Sequence, residues 1–167
     1  GQDGRLTGWL KARVARLLAH DVSLFAYHLP LDAHPQLGNN AQLGLRLGLQ
    51  AEATFGEQDL GFIGAAGGLA SVDALTAQVR ASLQRDALVV PGDGRPLRRI
   101  AWCTGGAQGH FEEAIAAGAD AYLTGEISEP QAHLARETGV AFLACGHHAT
   151  ERYGAPAVAA DVAQRFG

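Results

Sequence analysis

The sequence predicts an α/β fold, with strands of a parallel sheet covered by helices. Three observations carry this. From Arg98 onward, apolar runs of strand length alternate with helical patterns of roughly 8–12 residues, the signature of βαβ units. The runs lack clean apolar/polar alternation, as strands covered on both faces do. Polar, ligand-capable residues gather where the runs end: Tyr27-His28, Cys103-Thr104-Gly105-Gly106, Thr124-Gly125-Glu126 and Cys145-Gly146-His147-His148. In open α/β sheets the chemistry sits at those carboxyl ends.

The elements follow in order. Residues 8–20 carry apolar positions at 9, 10, 14, 17 and 18 between Arg and Lys, an amphipathic helix. VSLFAYH (22–28) is an apolar run of strand length. LPLDAHPQLGNN (29–40) reads as loop, marked by Pro30, Pro35, Gly38 and the Asn pair. Residues 40–49 predict a short helix capped by Asn39 or Asn40. Strands are expected at 51–55 and 60–65, a helix at 72–85 with Ser71 as its N-cap, and a strand at 87–92. GDGRP (92–96) is a turn and a candidate boundary, dividing the chain into 1–92 and 93–167. Strands are then expected at 98–103, 121–125 and 140–146, and helices at 110–118, 128–139 and from the last strand to Arg165.

Composition narrows the function classes. The 167 residues are 47% hydrophobic and 18% charged, which excludes disorder as the main state. Thirteen Lys+Arg against 17 Asp+Glu give a net charge of −4. Scattered, acidic charge argues against a binder of nucleic-acid backbones, which needs a basic stripe. No apolar run reaches the length of a transmembrane helix, and the first residues lack the apolar core of a signal peptide. Two cysteines, Cys103 and Cys145, do not make a disulfide scaffold, so a reducing cytoplasm is expected. Both end apolar runs and read as buried thiols.

Four constellations are able to carry chemistry. In GHHATERYG (146–154), His147 and Glu151 stand at helical i,i+4 spacing. Imidazole plus carboxylate suits a divalent ion such as Zn, Mn, Fe or Ni, and equally an ordinary surface pair. His148 beside them either supports the ligands from behind or is merely exposed. In YHLPLDAHP (27–35), His28 and Asp32 flank a turn stiffened by prolines, and Asp32 is either a ligand or the centre of an Asx turn; His34 is exposed or supports them. In LTGEISEPQAH (123–133), Ser128 is the expected N-cap, Glu129 suits the helix dipole and Pro130 the first turn. Glu126 has no capping role and is the candidate general base; His133 faces either the cleft or solvent. The glycine loop CTGGAQGHF (103–111) either cradles an anion or only turns tightly, with His110 in reach of an anionic ligand.

Together, HLPLDAHPQLGNNAQLG (28–44), DAYLTGEISEPQAH (120–133) and GHHATERYG (146–154) resemble the Nif-three-like family. These are dinuclear-metal proteins often labelled GTP cyclohydrolase I type 2 homologues, and the resemblance runs in order along nearly the whole chain. It implies an α/β fold of two similar lobes of mixed or parallel sheet flanked by helices, assembled as a toroidal homohexamer. It implies two divalent metal ions per subunit, with Asp32, His147 and Glu151 as ligands, Asp32 bridging, and His28 and Glu126 lining the same pocket. The implied activity is metal-dependent hydrolysis of a nucleotide or cyclic amidine, with Glu126 or His28 moving the proton. The rival reading is a non-catalytic, metal-handling or partner-binding homo-oligomer. The family pattern also has two consecutive histidines upstream of the first motif. This chain has none there and contains no methionine. The expectation is therefore that the first lobe lacks its N-terminal part and that this chain, a metal-depleted fragment, binds metal weakly or not at all.

Overall fold

The computed structural model describes residues 4–167. Its centre is one six-stranded mixed sheet in the order β1-β2-β4-β5-β6-β3. The strands are β1 (Ala53–Phe55), β2 (Gly61–Ala65), β3 (Leu88–Val90), β4 (Arg99–Trp102), β5 (Ala121–Thr124) and β6 (Ala141–Ala144). β4, β5 and β6 are parallel, with Trp102 opposite Leu123 and Leu123 opposite Leu143. The other pairings are antiparallel: β1 with β2, β2 with β4, and β3 with β6. The sheet is thus mixed, with its parallel core where the alternation predicted it. It draws strands from both sides of the Gly92 turn.

Strand side chains alternate between two cores. Ile100, Trp102, Ala121, Leu123, Ala141 and Leu143 face one, where they meet Leu43 and Leu47 of α3 (Asn39–Leu47) and Leu75, Val79 and Leu83 of α4 (Val72–Leu83). Ala101, Tyr122 and Phe142 face the other, against Phe111 and Ala114 of α5 (Phe111–Ala116) and Ala135 of α6 (Glu129–Thr138). There the Phe111 and Tyr122 rings stack at 5.7 Å, and Phe142 meets Phe111 edge-on at 4.9 Å. Covering both faces explains why the central strands read as unbroken apolar runs.

Local chemistry sets the helix ends. The Ser71 hydroxyl accepts from the Ala74 N–H at 3.1 Å, capping α4 as expected. Ser128 opens α6, and its N–H donates to Gln131 Oε1 at 3.2 Å. Gly139, in the left-handed region, closes it. The chain ends in α7 (His147–Thr150) and α8 (Gly154–Phe166).

Three expectations need correction. Residues 22–27 form no strand and leave Val22, Leu24, Phe25 and Tyr27 exposed, Phe25 at 75%. Apolar content alone does not make a strand; a sheet edge must receive it, and none of the six strands pairs with this run. α1 (Gly8–Ala19) forms as predicted but buries no residue. The expected loop at 29–40 begins with a helical turn, α2 (His28–Asp32), in which Pro30 falls in the first turn, where its missing N–H is tolerated. The N-cap of α3 is Gly38, not Asn39 or Asn40; both Asn side chains are buried and bonded elsewhere.

Candidate metal centre

The carboxyl ends of β4, β5 and β6 lie side by side, and the backbone beyond them continues the sheet. Gly125 N–H donates to Gly105 O at 2.9 Å, and Gly146 N–H to Gly125 O at 2.8 Å. The Thr150 hydroxyl accepts from Gly105 N–H at 3.0 Å, tying the glycine loop to α7. That N–H is therefore engaged, and of the two readings of the loop the tight turn accounts for Gly105.

A cleft of about 290 Å³ opens over these ends. Its walls include His28, Asp32, Asn40, Cys103, His110, His147 and Glu151. One donor atom from each of His28, Asp32 and Glu151 lies within 4.8 Å of the others, a group able to hold a metal ion. His28 and Asp32 are one turn apart on α2, with Nε2 3.6 Å from Oδ2. His28 Nε2 is 4.0 Å from Glu151 Oε1. His147 joins through Glu151, its Nε2 2.8 Å from Oε2, and its Nδ1 lies 2.6 Å from Glu126 Oε1. The structure thus gathers all five site residues expected from the sequence. It places His28 beside Asp32 and Glu151, and Glu126 behind His147.

The two Asn residues of the LGNN turn hold this arrangement. Asn39 Nδ2 donates to Asp32 Oδ1 at 2.7 Å, while its Oδ1 accepts from the N–H groups of Tyr153 at 3.3 Å and Gly154 at 2.7 Å. One amide thereby joins the first motif to the third. Asn40 Oδ1 accepts from Thr104 N–H at 2.7 Å, and Nδ2 donates to Leu60 O at 2.7 Å. The pattern G-N-N before an apolar period was the signal for both, but it reads first as a cap. Among the remaining candidates, His34 Nδ1 accepts from the N–H groups of Gln36 and Leu37, stabilising its own turn. His133 is exposed on α6, 3.7 Å from Glu129, and His148 is exposed.

Electrostatics follow the geometry. Asp32 is only 6% exposed. The Glu126 carboxylate raises the His147 pKa above its ordinary value, with burial opposing and Glu151 reinforcing. Burial pushes the Cys103 thiol up to about 12, against the Asn40 amide and with help from the Asp32, Glu151 and Glu113 carboxylates. Burial pushes Cys145 to about 12 as well. Both are therefore protonated, closed thiols rather than reactive ones. Neither is expected to react with iodoacetamide at pH 8 until the chain is unfolded; mass spectrometry of native and denatured samples checks this.

Gly105 shows how closely the site is built. Its φ is +72°, and a Cβ there would sit 2.8 Å from Glu151 Oε1 and 2.9 Å from Oε2. Gly105→Ala is expected to lower stability by roughly 1–2 kcal/mol through the left-handed backbone alone. It should also move the Glu151 carboxylate and weaken divalent-ion binding, as thermal melts and calorimetric titration would show.

Residues 2–167 match the model of the Duf34/NIF3 (NGG1p interacting factor 3) family. The chain is 56% identical over 162 residues to the "GTP cyclohydrolase 1 type 2 homolog" of Neisseria meningitidis serogroup B, covering 97% of this chain and 65% of that protein. It is 49% identical over 170 residues to the protein of the same name from Pseudomonas aeruginosa, covering 99% and 67%. Among solved structures, protein ybgI, described as of unknown function, aligns with a TM-score of 0.89 at 40% identity, covering 98% of this chain and 66% of that one. TTHA1606 of Thermus thermophilus aligns with a TM-score of 0.82 at 27% identity, covering 100% and 66%. This chain therefore spans about two thirds of the length of the relatives it matches. No helix among the described residues is long and apolar enough to cross a membrane. With the family model matched over nearly its whole length and about half its residues shared with these relatives, the chain belongs to the Duf34/NIF3 family.

Proposed function

We propose that the cleft binds divalent metal ions through Asp32, Glu151, His28 and His147, and that the whole protein is a metal-dependent hydrolase. One observation carries this: two segments more than a hundred residues apart in sequence bring His28, Asp32 and Glu151 within 4.8 Å of one another. Two carboxylates and imidazole nitrogens form a borderline donor set that fits a divalent transition ion. The charge of two carboxylates, one of them nearly buried, also favours a cation there. A bound ion would supply Lewis acidity, polarising an oxygen and making water acidic near neutral pH.

The chain's own residues do the rest. Asn39 fixes the Asp32 carboxylate in one orientation. Gly105 leaves room for Glu151. Glu126 holds Nδ1 of His147, so that Nε2 points to Glu151. Relatives named GTP cyclohydrolase 1 type 2 homolog favour a nucleotide or cyclic amidine as substrate. Incubation of the Mn²⁺-loaded chain with GTP, followed by mass spectrometry, should show a product heavier by one water. Unchanged GTP with bound metal would contradict the hydrolase reading.

A second reading is a metal-handling protein without catalysis. The exposure of His28, at 79% of its side chain, favours it, because open ligands allow fast exchange. We also propose a homo-oligomer, the family's hexamer, in the cytoplasm. Trp9, Leu18, Leu24 and Phe25 are exposed apolar side chains that self-association would cover. Light scattering at two concentrations tests the assembly.

A further inference from the structure

Three histidines line the cleft, and two of them, His28 and His147, face the carboxylates of the metal centre. The third, His110, stands on a separate element. It ends the 3-10 turn Gln108–His110 that leads into α5, and its side chain is 25% exposed. Its Nδ1 lies 2.5 Å from Glu113 Oε2, one turn along the chain. Its Nε2 has no protein partner among the described residues.

The pair is held from several sides. His110 N–H donates to Ala107 O at 3.1 Å, and the Tyr122 hydroxyl donates to the same carbonyl at 2.7 Å. The backbone that carries the ring is thus anchored to β5. Gly56, at the end of β1, closes over the pair. With φ at +80°, it leaves no space for a side chain: a Cβ there would lie 2.9 Å from Glu113 Oε2 and 3.1 Å from His110 Nδ1. His110 lines the same cleft as Asp32, His147 and Glu151, so its ring and the candidate metal centre share one space.

A carboxylate on one imidazole nitrogen fixes the proton there and leaves the other nitrogen as a base. We infer that His110, oriented by Glu113, is the proton-transfer residue of the cleft. This rests on the hydrolase reading. As the water oxygen bonds to the amidine carbon, the C=N π pair moves onto that nitrogen, and one water proton passes to Nε2 and on to the same nitrogen, with Glu113 stabilising the passing imidazolium. As the other carbon–nitrogen bond breaks and the C=O forms, the bonding pair stays on the leaving nitrogen, which takes the remaining hydroxyl proton through Nε2. His110 ends neutral, and one water has been added. This differs from the sequence expectation, which gave the proton to Glu126 or His28. Both of those are in contact with metal-centre residues.

The test has a spectroscopic and a kinetic arm. Long-range ¹H–¹⁵N correlation spectra of the full chain, with His110 assigned by its loss in His110→Gln, report the tautomer directly. The expected result is a neutral ring protonated at Nδ1, a preference lost in Glu113→Gln. In the kinetic arm His110→Gln should lower GTP turnover by about 100-fold or more with Mn²⁺ content unchanged. Glu113→Gln should lower it less and shift its pH profile. A proton fixed on Nε2, or a His110→Gln chain as active as the wild type, overturns the assignment. A wild-type chain that binds Mn²⁺ but leaves GTP intact contradicts the hydrolase reading instead, and the tautomer then decides the His110 assignment alone.

Discussion

Asp32→Asn is expected to weaken divalent-ion binding by about 100-fold or more while leaving the fold intact, since loss of even an outer partner of a metal ligand costs about 10–100-fold. The two side chains have nearly the same shape. An Asn carbonyl oxygen still accepts from Asn39 Nδ2, now at 2.7 Å from Asp32 Oδ1, so the link from α2 to α3 survives. What disappears is the negative charge opposite His28 and Glu151. Without it the remaining donors are one carboxylate and imidazoles, so one anionic ligand fewer offsets the charge of the cation. Titration calorimetry with Mn²⁺ would read the affinity, and circular dichroism the fold. Undiminished binding would place the ion elsewhere.

Asn40→Ala is expected to have the opposite profile, a large loss of stability from a residue that is not proposed to touch an ion. Asn40 is 1% exposed. Its amide satisfies Thr104 N–H and Leu60 O, each at 2.7 Å. Alanine leaves both groups without their protein partner at the inner wall of the cleft, at roughly 1–3 kcal/mol for each. The expected total is about 2–5 kcal/mol, which for a domain of this size lowers Tm by about 5–15 °C. The backbone carbonyl of Asn40, which accepts from Trp102 Nε1 at 2.9 Å, is unaffected. A melt within about 2 °C of the wild type would mean that water replaces the amide.

The sequence carried the β4 to β6 half of the fold because its physics is local and periodic. There each apolar run has the length of a strand, and each following helix has its own start signal, such as Ser128 before α6. It also carried the grouping of His28, Asp32, Glu126, His147 and Glu151, which stand at strand ends or helical turns that the sheet collects. The 22–28 run misled because a strand is completed by a partner, and no local pattern in the run records whether one is present. Asn39 and Asn40 misled for a related reason. Asn is a good cap at short range, but these two amides bond to Gly154 and Thr104, more than sixty residues away in each case. Which imidazole nitrogen faces which carboxylate, as at His110 and His147, is likewise fixed only by long-range packing.

The central claim is that this cleft holds a divalent ion on Asp32 and Glu151, and metal content tests it most directly. The purified chain, its mass verified, would be loaded with Mn²⁺ or Zn²⁺, desalted and assayed by elemental analysis beside Asp32→Asn and Glu151→Gln. The account predicts at least one tightly held ion per wild-type chain and loss of that ion in both variants. A wild-type chain that retains no metal, or variants that retain as much as the wild type, would contradict it.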